Sequence, residues 1–487
     1  MCFAIQVLDA DTRRGVPLVE LTSTSQVRYV TDSAGWAAID EPALNGQKAF
    51  FSVKSHGYEF PADGLGFRGR ALDMKTGDEA RLEIKRINIA ERLYRVTGEG
   101  IYHDSVRLGK PTPLEQPLLN AQVTGQDSAQ AVVYRGKIHW FWGDTNQVRY
   151  PLGNFRTSGA VSELPGNGGL DPSVGVNLRY FVDATGFSKK MCPLDPPEGV
   201  VWIDGVAVVL DAERRERLVA HFTRLKGLGE MLEHGAVLYN DERDEFERAA
   251  AFDFADLSRC PHGQSFVHRD GDAEYVYFGN PFPNVRVRRT LAAVLDTNQY
   301  EAFTCLPDGT APGALQAQIE RDAEGRPHYR WTKRAPPLRP EDERRLIAKG
   351  AIKEAEARWQ PVDTESGKPV SIHYGGVQWN PWRQRWIMIA AEQGGTSFLG
   401  ETWYAEAREM TGPWPKARKL VTHDRYSFYN PVHHPFFDQE GGRVIYFEGT
   451  YSHTFSGNDQ QTPRYDYNQI MYRVDLSDPR LAPAHSE

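Results

Sequence analysis

Hydrophobic and polar positions alternate along most of this chain with the period of two that marks strands. The pattern is sharpest at 127–145, DSAQAVVYRGKIHWFWGDT. Two apolar strands there flank a tight turn at Arg135-Gly136-Lys137, a hairpin signal. Asp127 opens the first strand and Asp144 closes the second, so antiparallel pairing predicts both carboxylates at one end of the hairpin. Three later stretches repeat the plan: HGQSFVHRDGDAEYVYFGN from His262, HYGGVQWNPWRQRWIMIAAE from His373 and NPVHHPFFDQEGGRVIYFE from Asn430. Each has a polar opener, a strand, a turn, an aromatic-rich strand and a polar closer. Repetition of this kind predicts a radial β architecture whose polar ends converge on one face.

The remaining pattern divides the chain. Residues 1 to 90 carry short alternating strands broken by turns, as a small β-sandwich requires. Asp9 to Pro17 reads D-x-x-T-x-x-G-V-P, and Thr31 to Gly35 reads T-D-x-x-G. These resemble the carboxypeptidase-regulatory-like, transthyretin-type sandwich, which implies packing or spacing and, less directly, carbohydrate binding. Residues 91–120 form a Gly- and Pro-rich connection expected to lend a strand to the second unit. That unit, 121–487, divides into five blade-sized pieces: 121–198, 199–256, 257–306, 371–424 and 425 to about 480. An insertion, 307–370, separates the third from the fourth. Within it the pattern predicts a helix over 340–359, with Pro340 at its start, acids in the first turn, and Leu346, Ile347 and Ile352 on one stripe. Its role is a lid or a packing arm. The expected fold is therefore all-β: a five-bladed β-propeller preceded by a small β-sandwich, with a helical insertion.

Composition adds a few constraints. At 487 residues the chain exceeds one ordinary core. Aromatic residues reach 11%, which suits many strands and also a site that stacks on sugar rings. The net charge of −8 comes without long single-sign blocks and argues against a nucleic-acid partner. Cys2, Cys192, Cys260 and Cys305 have no CxxC spacing, so a zinc site is disfavoured while one or two disulfides stay open. No apolar run approaches the ~18 residues of a membrane span. The first residues enter a strand pattern without a signal-like segment, which fits a cytoplasmic protein or one whose signal has been removed.

The first blade's Asp127-Ser128, Gly136-Lys137 and Phe141-Trp142-Gly143-Asp144-Thr145 resemble the signature of DUF4185-type propellers. Trp403-Tyr404-Ala405-Glu406-Ala407 with Gly412-Pro413-Trp414 is similar to a third strand and turn common in such propellers. Residues 120–475 as a whole resemble the five-bladed propeller glycosidase superfamily that includes glycoside hydrolase families 43 and 117. The resemblance implies an axial pocket and hydrolysis by two carboxyl groups, with no cofactor required. Glycosidic cleavage asks for that pair independently: an acid to protonate the leaving oxygen, and a carboxylate to activate water or attack carbon.

Asp127 matches the family's general base, with Asp144 beside it. Glu392 and Glu448, at matching ends of the fourth and fifth pieces, are candidates for the acid, with Glu230 and Glu233 behind them. Family 43 has acids opening most inner strands; this chain has His262, His373, Asn430 and His433-His434 instead. Family 117 uses a His as acid, and an imidazole can donate a proton near neutrality, so His262 and His373 are candidates as well. Trp142, Tyr374, Trp379, Tyr429 and Tyr451 are candidate sugar platforms, and Gln264, Asn430 and His433 candidate sugar contacts. His433 and His434 point to opposite strand faces and cannot chelate one ion together; a structural Ca²⁺ on the axis fits this reading without a catalytic role. The expected partner is a carbohydrate. Two rivals stand: a polysaccharide lyase, whose site would carry Arg or Lys for a uronate, and a non-catalytic glycan-binding propeller, in which Asp127 and the Glu candidates would not face one another.

Overall fold

A computed structural model describes residues 2–227, 229–253, 259–260, 262–313 and 318–485. It is mostly β, and the longest helix is Pro340–Ala348. The first unit has two four-stranded sheets. One contains Trp36–Ile39, Phe3–Asp9, Glu79–Arg86 and Tyr58–Glu59; the other contains Arg28–Val30, Glu20–Ser23, Lys48–Lys54 and Gly69–Asp73. In Lys48–Lys54 the even positions 48, 52 and 54 are exposed while Ala49, Phe51 and Val53 are buried, the pleat's alternation made visible. Ile5, Val7, Leu21, Phe51, Leu82 and Ile84 from both sheets share one core.

Among the described residues six further sheets follow: one of three strands, Val123–Gln126, Thr145–Gln147 and Tyr150–Asn154, and five larger ones, taken here in chain order. The first holds Gln130–Tyr134, Lys137–Trp142, Ser158–Glu163 and Arg179–Tyr180. Its hairpin turns on Arg135 and Gly136, both at positive φ (48° and 78°), the two-residue geometry that matches strand twist and favours glycine. The second sheet runs Val200–Leu210, Glu216–Lys226, Glu230–Asn240, Glu245–Ala251, and the third begins with Gln264–Asp270, Ala273–Gly279 and Pro283–Arg288. The fourth is built on Ile372–Asn380, Arg385–Glu392, Thr402–Ala407 and Lys416–Val421, the fifth on Ser427–His433, Val444–Ser452 and Asn468–Asp475. The first strand of each sheet lies beside the first strand of the next. The series returns on itself where Asn430 Nδ2 donates to Ser128 Oγ (2.7 Å) and the Ser128 amide donates to Thr450 Oγ1 (2.9 Å). The arrangement is propeller-like.

The fifth sheet takes its outermost strand, Glu91–Arg95, from the other end of the chain, paired antiparallel with Asn468–Asp475. A register slip at Leu93 breaks the alternation, since Met471 opposes Tyr94 while Tyr472 opposes Arg92. Leu93 and Tyr94 therefore both enter the core between the first and fifth sheets, Arg92 turns to the N-terminal unit, and the Arg95 guanidinium donates to Glu99 O while its backbone amide donates to Ser33 Oγ (3.2 Å). Arg92 is buried. Its guanidinium donates to Pro17 O (3.1 Å) and His56 O (3.0 Å) and to Ser55 Oγ. Arg95 lies over the Tyr465 ring at 4.9 Å, and the Tyr465 hydroxyl donates to Thr31 O (2.7 Å). These contacts tie the two units together.

The insertion differs from its sequence expectation. The helix spans Pro340–Ala348, not 340–359, because the chain turns at Gly350 (φ 71°) and continues as irregular structure with a single 3₁₀ turn at Glu354–Glu356. The 358–360 segment is held instead by buried Glu343, whose carboxylate accepts from the amides of Arg358 (2.7 Å) and Trp359 (2.9 Å). Leu346, Ile352 and Trp359 join Phe282, Trp386 and Trp414 in one core, so this face of the insertion packs against the third and fourth sheets. No disulfide joins any of the four cysteines, which closes the question left by their spacing. No helix among the described residues is long and apolar enough to cross a membrane.

Because Arg92 answers several buried acceptors, Arg92→Met leaves them without a donor. It is expected to destabilise the chain by about 3 kcal/mol, read as a lower urea midpoint; an unchanged midpoint would mean the contact is dispensable.

Candidate active site

At one end of the sheets the first strands are irregular. In the second sheet Asp204 opposes His221 and Ala207 opposes Val219, so Gly205 and Val206 face a single residue. In the fourth, Ile372 opposes Glu392 and Gly375 opposes Ala390, leaving His373 and Tyr374 against Ala391. In the fifth, Tyr429 opposes Thr450 and Val432 opposes Glu448, leaving Asn430 and Pro431 against Gly449. Each is a β-bulge, the device that re-aims side chains beside sites. Asp204, Tyr374 and Asn430 line a cavity of about 380 Å³ together with Asp127, Asp144 and Trp202.

Asp127 and Asp144 form its deepest polar feature. The Asp144 amide donates to Asp127 Oδ1 (3.0 Å), and the Tyr429 hydroxyl donates to Asp127 Oδ2 (3.3 Å). Gly143 makes that seat, since a Cβ there would stand 2.4 Å from Asp127 Oδ1. Trp202 Nε1 donates to Asp144 Oδ1 (3.0 Å). Burial pushes Asp127 up to about 6, against the pull of hydrogen bonds from Tyr467, Tyr429 and the Asp144 amide. Burial and then the Asp127 charge push Asp144 up to about 7, against the hydrogen bond from Trp202. Among the described residues no cation is paired with either carboxyl, so both stay within reach of a proton near neutrality.

Across the cavity, Asp204 is held by neutral donors: Gln130 Nε2 (2.6 Å), the Gly205 amide (2.9 Å) and the Gly263 amide (2.9 Å) act on its Oδ1. Its Oδ2 meets His262 Nδ1 at 3.3 Å. That hydrogen bond, opposed by burial, raises the imidazole above its ordinary value. His262 thus has a partner that favours its charged form. His373 is the opposite case: burial lowers it, and its Nδ1 is buried without a partner.

The fold brings Asp127, Asp144, Gln264, Tyr374 and Asn430 to the cavity, with His262 beside Asp204 and Tyr429 behind Asp127. It places several other candidates elsewhere. Glu448 is fully buried and accepts from His434 Nε2 (2.8 Å). Glu392 accepts from Trp403 Nε1 (2.8 Å) and faces Glu401 and Lys419, on the outer side of its sheet. Glu233 is clamped by Arg224 (2.9 Å) and Arg248 (2.6 Å), and Glu230 is exposed beside Lys226. His433 is buried against Asp438 (2.8 Å). Trp142 is among the residues lining the cavity, but it is only 1% exposed and its ring stacks on Trp140 in the core, while Tyr451 stacks on Tyr426 near the junction of the units. Trp379 lies near the far end of its strand, beside Trp386. Asp204 and Trp202 are site residues that sequence reasoning passed over. The signal that could have found Asp204 is Asp-Gly inside an otherwise apolar run, VWIDGVAVVL, where a glycine marks a bulge. Among the described residues no group of three or more His, Cys, Asp or Glu side chains is placed to hold a metal ion.

The sequence matches no protein-family model and no curated protein. Several solved structures are similar in fold. An exo-β-1,3-galactanase from Phanerochaete chrysosporium, in complex with β-1,3-galactotriose, is 11% identical over 79% of this chain, with a TM-score of 0.38. This chain spans 65% of that galactanase's length. An α-L-arabinofuranosidase from Fusarium graminearum is 12% identical, covering 80% of this chain and 99% of its own, with a TM-score of 0.37. A GH43_1 enzyme from Xanthomonas citri, complexed with xylose, is 12% identical, covering 73% of this chain and 88% of its own, with a TM-score of 0.33.

The two carboxyls should titrate as a pair, with steps near 6 and 7. Removing one charge in Asp127→Asn is expected to lower the remaining step, followed by NMR of ¹³C-labelled aspartate; a step fixed at about 7 would mean that burial alone sets it. Both values lie above that of an unfolded aspartate, so the folded chain binds the extra protons. The pair's contribution to stability is therefore full below about pH 4 and is lost as pH rises through 6 and 7. Asp144→Asn should accordingly be more stable than the parent at pH 8 and show no such gain at pH 4, as read by urea unfolding.

Proposed function

We propose that this chain is a glycoside hydrolase, a five-bladed β-propeller preceded by a small β-sandwich, acting on a neutral oligosaccharide or polysaccharide. One observation carries the reading: two carboxyls poised near neutrality share a cleft with Asp204, whose second oxygen meets a histidine beside it. Between about pH 6 and 7 the Asp127–Asp144 pair holds about one proton. It rests on Asp144, whose value is the higher, which leaves Asp127 ionised as base or nucleophile. Asp144 then presents a proton to a sugar hydroxyl while Trp202 holds its other oxygen. His262, kept charged by Asp204, is the general acid for the leaving oxygen. The resemblance of the first hairpin to the propeller glycosidases supports Asp127 in its role.

The cleft also speaks against the lyase alternative. Among the described residues no Lys or Arg lines it, so a uronate carboxylate would meet three aspartates, with His262 and the Arg339 charge that reaches it as the opposing cations. The glycan-binding alternative asks that Asp127 and the Glu candidates not face one another, and Glu230, Glu233, Glu392 and Glu448 do lie away from the cavity; what favours hydrolysis is that Asp127, Asp144 and Asp204 line one cavity instead.

The decisive experiment follows reducing ends and ultraviolet absorbance together on a panel of neutral and uronate-containing glycans. The expected result is reducing ends without ultraviolet gain, lost on the order of a thousandfold in Asp127→Asn. Ultraviolet gain would assign a lyase instead, and an unaffected Asp127→Asn would remove the carboxylate from the mechanism. kcat/KM should rise with pH through about 6, as the base ionises. It should fall again on the alkaline side as His262 loses its proton, and His262→Gln should abolish that alkaline limb with a loss of about a hundredfold.

A further inference from the structure

One wall of the cleft is unused by this chemistry. Tyr374 lines the cavity and is 46% exposed. Its ring lies parallel to His373, with centroids 4.2 Å apart and an interplanar angle of 10°. The bulge that creates this pair is fixed on both sides. The Gly375 amide donates to Asn280 Oδ1 (3.2 Å), and a Cβ at Gly375 would stand 2.3 Å from Ile389 O, so the chain lies hard against the next strand. His373, lowered by burial, backs the phenol as a neutral ring. Tyr374 therefore offers one covered face and one open face, held still before any ligand arrives. A phenol face of this kind suits the C–H patch of a sugar ring.

Position says which sugar. Asp127 and Asp144 belong to the first sheet, and Trp202 closes over Asp144 from the second. Tyr374 belongs to the fourth sheet, on the same side as Asp204, whose charge reaches its phenol and which holds His262. The His262 side chain is 62% exposed, at the solvent side of the cleft. A proton delivered there goes to the oxygen that departs with the outer group, and the platform beside it meets that outer group. We propose that Tyr374, backed by His373, is the stacking platform for the leaving-group sugar, so that the substrate class is a neutral disaccharide or longer glycan whose second unit rests on this ring. The inference rests on the hydrolase reading, and Tyr374 sets specificity without entering the bond-breaking step.

The test compares Tyr374→Ala and Tyr374→Phe with the parent on neutral disaccharides and on the matching glycosyl fluorides, whose leaving group is a single atom. Loss of the platform should cut kcat/KM for the disaccharide about tenfold more than for the fluoride. Tyr374→Phe, which keeps the ring, should recover most of that difference. An equal loss on both substrates would put the ring against the other sugar and overturn the proposal; so would a Phe variant as poor as the Ala variant. A second readout separates this proposal from the reading beneath it: calorimetric binding of the same disaccharides to Asp127→Asn, with and without Tyr374→Ala. Tenfold weaker binding on loss of the ring, from a parent that cleaves nothing, would sustain the platform and sink the hydrolase. Equal affinity with and without the ring would sink the platform whatever the parent cleaves.

Discussion

The pairing of Glu91–Arg95 with Asn468–Asp475 is the constraint on which the rest of the molecule depends. A series of sheets arranged side by side leaves an open edge unless something completes it, and here the completion comes from the opposite end of the chain. The register slip at Leu93 lets one short strand serve two purposes. Its apolar pair fills the seam between the first and fifth sheets, Arg92 grips the N-terminal unit, and Arg95 lies over Tyr465, whose hydroxyl reaches that unit. Asp127 follows a short run, Val123–Gln126, whose Gln126 is buried in the same seam. The Gln126 amide donates to Ser158 Oγ (2.6 Å) and its carbonyl side accepts from Tyr180 (2.7 Å). The seat of the candidate base is thus built on the closure itself.

What distinguishes the candidate site from the many other acids is the character of the partners. Glu233 is met by two arginines, Glu406 by Arg383 and Glu448 by His434. Those acids have been given counter-charges and are structural. Asp127 and Asp144 are met by a phenol, a backbone amide and an indole, all neutral donors that orient a carboxyl without holding it ionised. Burial then sets the direction, and both carboxyls move toward neutrality.

The sequence was most legible where its period was regular. The hairpin at 127–145, its two-residue turn and the convergence of Asp127 with Asp144 follow from alternation and antiparallel pairing alone. Alternation fails at bulges, and three of the five first strands bulge at the cleft. Asp204 was invisible because it sits mid-strand in an apolar run, and only the extra residue after it turns it inward. Glu392 and Glu448 were assigned by analogy with Asp144, but the end of a strand does not say which face the last side chain takes. Trp142 illustrates the same point, since its parity matches Trp140 and carries it into the seam. The helix was read too long because acids and apolar residues at 349–359 continue the helical pattern; the turn at Gly350 and the buried carboxylate of Glu343, satisfied only by tertiary contacts, override it.

The strand Glu91–Arg95 is made early in synthesis and must wait for a partner more than 370 residues downstream. Until residues 468–475 emerge, its hydrogen-bonding edge and the apolar pair beside it have no native cover. The N-terminal unit is complete by then and its carbonyls can already hold Arg92, which would park the strand against a folded neighbour.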